Sequence, residues 1–272
     1  MSSLIVQKNL NAATSMLNKS IERMTTGYKI NHAADNAAGY SIATTWKTQL
    51  GSLDVASDNA STGADMLTTL EDTYSLITSH LQRVRDLTEQ AANGTYGSDS
   101  LKAIASEITA RLEEIDRISA NCEFNGLKMM DGSLTDDINL QVGLYSDAAS
   151  RIALDASLFQ NGHVSALFKT FGGVGGATVA EVAKLCSGYD GKQITGGQNE
   201  MLNKIDAVIS EISARTTTLG AAQNRIESAV ESINVQSENI TSSLSTLRDA
   251  DVAEESSCLL YTSPSPRDPK TS

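Results

Sequence analysis

Hydrophobic positions recur at helical spacing over most of this chain. Ile205, Ile212, Leu219, Ile226, Ile233, Ile240 and Leu247 stand at every seventh position, which is the repeat of a coiled-coil seam. Leu67, Leu70, Tyr74, Ile77, Leu81 and Val84 alternate steps of three and four. They predict a second seam, on a helix from about Tyr40 to Ala92 that Asn93-Gly94 closes with a left-handed glycine. Val6, Leu10, Ala13, Leu17, Ile21 and Met24 predict an amphipathic helix over 3–24, broken at Thr25-Thr26-Gly27. Leu101, Ile104, Ile108, Leu112, Ile115 and Ile118 predict another from about Asp99 to Asn121, with Ser98 or Asp99 capping its first turn.

The period then changes. Ile138, Leu140, Val142 and Leu144 alternate with Asn139, Gln141 and Gly143, as in a half-buried strand. A turn over 145–150 leads to a returning strand at Ile152 and Leu154, and Asn125-Gly126 and Asp131-Gly132 mark tight turns. From about 158 to 197 the periodicity dissolves among glycines, with a short helix predicted over Val179–Leu185. A long helix follows from about Asn199 to Glu255. All three prolines, Pro264, Pro266 and Pro269, fall in the last nine residues. The chain before them lacks the residue that breaks helices at a cost of roughly 3 kcal/mol. A helix of ~50 residues is ~75 Å long, so such helices bury their stripes only along one another. The expectation is a mainly α fold: an elongated antiparallel bundle of long coiled-coil-like helices with a small β-hairpin region.

Composition narrows the function. Among 272 residues the net charge is −12 and aromatics make up 4%. Few aromatics suit thin helical packing. The acidic balance, with no basic stripe, argues against nucleic acid and anionic membranes as partners. No apolar run approaches the ~20 residues of a membrane span, so no membrane insertion is expected. The N-terminus, MSSLIVQKNLNAATSML, lacks the pattern of a cleaved signal peptide. Cys122, Cys186 and Cys258 show no metal or CxxC spacing.

Chemistry-bearing motifs are scarce. His32, His80 and His163 have no carboxylate or cysteine at ligand spacing, and HExxH and GxSxG do not occur. The Gly172–Gly176 cluster lacks phosphate-loop spacing, and Asp131, Asp136 and Asp137 lack the alternation of a calcium loop. Arg248, Asp249, Asp251, Glu254 and Glu255 read as a solvated helix face. No catalytic, cofactor or metal residue is expected, and the chain is not expected to be an enzyme. One surface segment stands out, LQRVRDL over 81–87. With Leu81 and Val84 committed to the seam, Arg83 and Leu87 fall off it at i, i+4 and share an outward face. An exposed leucine among arginines fits a contact patch, with a plain solvated face as the alternative.

These residues carry a resemblance. ERMTTGYKINHAADNAAGYSIA (22–43), LQRVRDLTEQAANGT (81–95), EITARLEEIDRISANCEFNGLKMMDG (107–132) and the block over 205–255 resemble bacterial flagellin, covering about 1–157 and 198–255. The resemblance implies a structural subunit that polymerises into the flagellar filament for motility. It also implies export without a cleaved signal peptide to an extracellular flagellum. The partners implied are further copies of itself, hook-associated and cap proteins, the flagellar export apparatus, an export chaperone and Toll-like receptor 5.

Segment by segment, 1–40 is then an N-terminal filament-core helix with its connecting loop. Residues 41–157 form the N-terminal part of the helical domain, 158–197 a short variable surface region, and 198–247 the C-terminal helix of that domain. Residues 248–255 begin a C-terminal core helix. Val6, Leu10, Leu17, Ile21, Ile240, Leu244 and Leu247 are implied in self-assembly. Arg83, Leu87 and Glu107, with Gln82, Arg85 and Asp86, match the receptor and protofilament face, Asp86 standing where glutamate is usual. A hook–filament junction protein is the alternative, and the 81–95 block and QNRIE favour flagellin. Residues 256–272, SSCLLYTSPSPRDPKTS, depart from the family's pattern and resemble translated adapter read-through. The expectation is a non-native tail on a chain that folds its helices without forming native-like filaments.

Overall fold

The computed structural model describes residues 2–168, 178–188 and 198–262. In chain order these form α1 (Ser2–Thr26), α2 (Ala37–Ala92), α3 (Ser98–Asn121), β1 (Glu123–Phe124), β2 (Leu127–Lys128), β3 (Ile138–Gln141), β4 (Arg151–Leu154), α4 (Val164–Leu167), α5 (Val179–Ser187), α6 (Gln198–Arg248) and α7 (Val252–Thr262). The fold is mainly α, with long helices and two small antiparallel strand pairs. The glycine cluster at 172–176 and the three prolines lie outside the described residues.

The chain divides into two compact units. The larger, Ala56–Glu231, holds the main core. Every residue of the predicted seam, Leu67 through Val84, is buried, as are Leu101, Ile104, Ile108, Leu112 and Ile115 of α3. Each such aliphatic side chain contributes about 1.5–3 kcal/mol on burial. Arg83 meets Glu107 while Thr73 meets Cys122, so α2 and α3 run antiparallel. Arg85 meets Asp206 while Glu71 meets Gln223, which sets α6 antiparallel to α2 as well.

The β3–β4 pair is in register Ile138↔Leu154 to Gln141↔Arg151. It docks on α2, where Asn59 Nδ2 donates to Gln141 O at 3.2 Å and a Cβ at Gly63 would collide with the Leu140 side chain. Asn125 (φ 49°) and Gly126 (φ 84°) make the β1–β2 turn, the left-handed pair that an Asn-Gly hairpin favours. Tyr74, buried by its surroundings and with its pKa raised by that burial, donates to Leu158 O at 2.9 Å.

The smaller unit, Met1–Val55 with Ser232–Ser272, joins the chain's two ends. There α1 packs on α7, and Tyr28 bridges Asp249 through Lys29 N to Arg248 O at 2.7 Å and Ala250 N to Gly27 O at 2.8 Å.

Four local expectations are corrected. The predicted single helix from Asn199 to Glu255 breaks after Arg248, because the bridge to Tyr28 takes residues 249–250 and Asp251 Oδ1 then accepts from Ala253 N at 2.8 Å to start α7. That helix continues through Thr262, seven residues beyond Glu255. Gly94 does not adopt the left-handed conformation. Asn93 closes α2 instead, its N donating to Gln90 O and its Oδ1 accepting from Thr95 N at 3.3 Å. Gly97, with no side chain to offer, is the N-cap of α3, and Ser98 and Asp99 lie inside its first turn.

Candidate functional site

Two surfaces carry the sequence-predicted residues. The first is the outer face of α2 and α3 in the larger unit. Arg83 is half-exposed and grips α3, its Nε 2.9 Å and its Nη2 2.8 Å from Glu107 Oε1. Arg85 reaches α6, with Nε 2.5 Å from Asp206 Oδ1, and also pairs with Glu89 at 3.3 Å. Hydrogen bonding to Asp206 raises its pKa, so it is charged at any working pH. Gln82 and Asp86 are exposed. Solvent-facing pairs of this kind stabilise weakly, but they fix the guanidinium planes in a defined array.

Leu87 does not share this face. It is 2% exposed, next to Thr88 at 0%, so the expected outward leucine is corrected to a buried one. Spacing along α2 alone does not reveal the helices packed against it, α3 at Glu107 and α5 at Cys186. α5 packs on α3, and its Cys186 thiol is hydrogen bonded to Thr88 of α2, the residue next to Leu87. One signal for α5 lies in the sequence: Thr178 followed by Glu181 is a capping box, and Val179, Val182 and Cys186 share one side of the turn that follows.

The second surface belongs to the smaller unit. Along α1, Leu4, Ile5, Val6, Leu10, Met16, Ile21 and Met24 are exposed, Leu10 at 62%, and Leu17 is half-buried. The heptad row of α6 is buried at Ile205, Ile212, Leu219, Ile226 and Ile233, whereas Ile240, Leu244 and Leu247 are only half-buried. The row is unbroken in sequence, but its burial ends after Ile233.

Beside that surface lies a cleft of about 870 Å³ lined by Arg23, Lys29, Asp35, Trp46, Thr246 and Glu255 among others. Arg23 Nη1 donates to Glu255 Oε1 at 2.8 Å, Lys19 meets Asp35 at 2.6 Å, and Lys29 Nζ donates to Thr246 O at 2.8 Å. The hydrogen bond from Arg23 lowers the pKa of Glu255, and Lys19 lowers that of Asp35 to about 2. The Arg248 guanidinium lies 4.1 Å from the Tyr28 ring centroid. Within the run Arg248–Glu255, Asp249, Asp251 and Glu254 are exposed as a solvated face requires, and Glu255 is the exception, buried and clamped by Arg23.

Two histidines gain carboxylates that sequence spacing did not offer. His32 Nε2 is 2.8 Å from Glu22, and His163 Nδ1 is 3.3 Å from Asp116. Asp116 Oδ1 also accepts from Val164 N at 2.7 Å, so this pair anchors the start of α4. Among the described residues no group of three or more His, Cys, Asp or Glu side chains could hold a metal ion. Among them, too, no helix is long and apolar enough to cross a membrane. The arrangement offers fixed charges and apolar stripes, which is the chemistry of association.

Comparison with known proteins places the chain. The family model for the bacterial flagellin N-terminal helical region matches residues 1–135, and that for the flagellin C-terminal helical region matches 202–261. Flagellin FlaB1 of Treponema pallidum (strain Nichols) is 29% identical over 260 residues, covering 94% of this chain and 86% of that protein. The phase 1 flagellin of Salmonella naestved is 39% identical over 194 residues, 71% of this chain and 37% of that one. Among solved structures, one described as a flagellar hook-associated protein from Vibrio parahaemolyticus aligns with a TM-score of 0.65 at 12% identity. It covers 79% of this chain and 100% of its own length. At that identity the likeness speaks for the fold alone.

Proposed function

The chain belongs to the bacterial flagellin family, and from that premise we propose that it builds the flagellar filament by burying the apolar stripe of α1 against neighbouring copies. The observation that carries this is the exposure of Val6, Leu10, Ile21 and Met24 along one face of a long helix, with Leu4, Ile5 and Met16 exposed beside them. Monomeric proteins rarely leave so large a continuous apolar surface in water. Repeated head-to-tail contacts that do not close give an open helical polymer. Ile240, Leu244 and Leu247, half-buried on α6, continue the same apolar character at the other end of the chain.

The outer face of α2 and α3 is the second contact surface of this reading. Arg83, Glu107, Gln82, Arg85 and Asp86 present it to protofilament neighbours and to Toll-like receptor 5, with Leu87 beneath rather than on it. Export through the flagellar apparatus with a dedicated chaperone, and junctions to hook-associated and cap proteins, complete the proposal. A hook–filament junction role draws support only from shared fold, whereas both matched family models are those of flagellin.

Sedimentation velocity tests the central claim. The full chain with its 256–272 tail is expected to self-associate with rising concentration, stopping short of native-like filaments, and Leu10→Asp to remain monomeric at unchanged far-ultraviolet helicity. Identical sedimentation of the two at every concentration would overturn it.

A further inference from the structure

Asparagine is followed by glycine three times in the chain, at Asn93-Gly94, Asn125-Gly126 and Asn161-Gly162. Such a step carries a reaction of its own. The glycine amide nitrogen attacks the asparagine Cγ, and the absence of a Cβ on the glycine leaves the approach open. A bond forms between that nitrogen and Cγ, the Cγ–Nδ2 bond breaks, and ammonia leaves with the proton of the glycine N–H. Water then opens the cyclic imide at one carbonyl or the other, giving aspartate or isoaspartate and restoring the N–H.

The fold separates the three steps. At Asn161 every participant is engaged: Oδ1 accepts from His163 N at 2.8 Å, Nδ2 donates to Asp131 O at 3.2 Å, and Gly162 N donates to Met130 O at 2.9 Å. Gly162 is also buried, against Met130 and Ser119. Asn125 and Gly126 are exposed, but their φ of 49° and 84° belongs to the hairpin turn. Phe124 pairs with Leu127 across that turn, and Met129 N donates to Cys122 O at 3.0 Å. Swinging Gly126 N onto the Asn125 side chain rotates this backbone and opens the pair.

Asn93-Gly94 is under no such restraint. Both residues and Thr95 are exposed in the connection between α2 and α3. Gly94 lies outside the left-handed region, and a Cβ on it would meet nothing within 4 Å. Asn93 Oδ1 accepts from Thr95 N at 3.3 Å, which draws electron density away from Cγ, the atom under attack. Among the described residues neither Gly94 N nor Asn93 Nδ2, the nucleophile and the leaving group, has a hydrogen-bond partner.

We propose that Asn93-Gly94 is a site of self-modification in the folded chain, converting with time to aspartate and isoaspartate and so adding a negative charge where α2 ends. The last carbonyls of a helix carry partial negative charge. Glu89, four residues earlier and paired with Arg85, already places a carboxylate there, and like charges at that spacing repel. The new carboxylate therefore loosens the final turn of α2. Isoaspartate goes further, inserting a methylene carbon into the main chain between α2 and α3.

Peptide mass spectrometry of the full chain, held at physiological temperature and mildly alkaline pH, tests the site. Asn93 is expected to convert about ten-fold faster than Asn125 and Asn161, whose reaction waits on local opening. In urea sufficient to unfold the chain the three should react alike, because the residue after each asparagine is the same. Gly94→Ala, which the open space around Gly94 tolerates, should slow Asn93 about ten-fold, since its Cβ obstructs the attacking nitrogen. Conversion of Asn125 or Asn161 as fast as Asn93 in the folded chain would overturn the proposal. So would an Asn93 that stays intact in the folded chain while the unfolded chain converts.

Hydrogen exchange of the Asn93→Asp chain reads the consequence. Amides over 89–92 should exchange about three-fold faster than in the parent, with 67–84 unchanged. Equal exchange over 89–92 would overturn the loosening and leave the reaction at Asn93 standing.

Discussion

Single residues in this chain act chiefly through where their charge is held. Arg83 and Arg85 are tied to Glu107 and Asp206 on neighbouring helices, so each guanidinium is held in a fixed orientation at the surface. Replacing Arg83 by Ala removes a charged anchor of the kind enriched at interface hot spots. Receptor capture should weaken about ten-fold at unchanged circular dichroism; equal capture would detach Arg83 from the contact face. In the smaller unit, Glu255 and Asp35 are carboxylates whose folded pKa values are depressed, by Arg23 and Lys19 respectively. A depressed carboxylate stabilises the fold above its unfolded pKa, and that contribution is lost as pH falls through the folded value. For Asp35 the window runs from 3.8 down to about 2. The melting temperature should therefore fall on acidification across this range, and Arg23→Gln should flatten the part due to Glu255. A parallel pH profile for parent and variant would show that the clamp contributes nothing. The residue types behind these pairs are visible in the sequence, but their pairing is not: 232 positions separate Arg23 from Glu255.

At the scale of elements, the heptad row of α6 separates pattern from environment. Ile212 and Ile240 occupy the same position of the seven-residue repeat, yet Ile212 is 1% exposed and Ile240 half-buried. Ile212→Ala should cost about 2–5 kcal/mol in urea unfolding, and Ile240→Ala roughly 1 kcal/mol. Equal losses would mean that the row is buried alike along its length. The break between α6 and α7 teaches the same lesson. Nothing in residues 248–252 forbids a continuous helix. The backbone bridge from Gly27–Lys29 captures residues 248–250, and Asp251 then caps a new start. In contrast, α3 ends where its periodic row ends, because the turn chemistry of Asn125-Gly126 is local.

For the whole molecule, the uneven distribution of large buried side chains predicts uneven stability. The Ala56–Glu231 unit holds the Leu67–Val84 seam, the α3 row and four members of the α6 row. The other unit buries Ile30, Ala43, Leu53 and Ile233 while leaving the α1 stripe in water. Hydrogen exchange in the unassembled chain should be slowest over 67–84 and fastest over α1 and α7, with protection of α1 rising on self-association. Uniform protection across both units would contradict this. Such a division suits a subunit that keeps one part folded at all times and completes the other against its neighbours.

What the sequence determines by itself is the helices, the seams, the strand pair and the family. Each depends on patterns spanning a few turns of chain, where i, i+3 and i+4 neighbours or an Asn-Gly step decide the local conformation. The tertiary structure alone decides which parts of those patterns end up in contact. It lays Cys186 of α5 against Thr88, divides one heptad row into a buried and a half-buried stretch, and brings Asp116 to His163 and Glu255 to Arg23. Those outcomes depend on which surfaces remain uncovered once the helices have packed, and no window of consecutive residues contains that information.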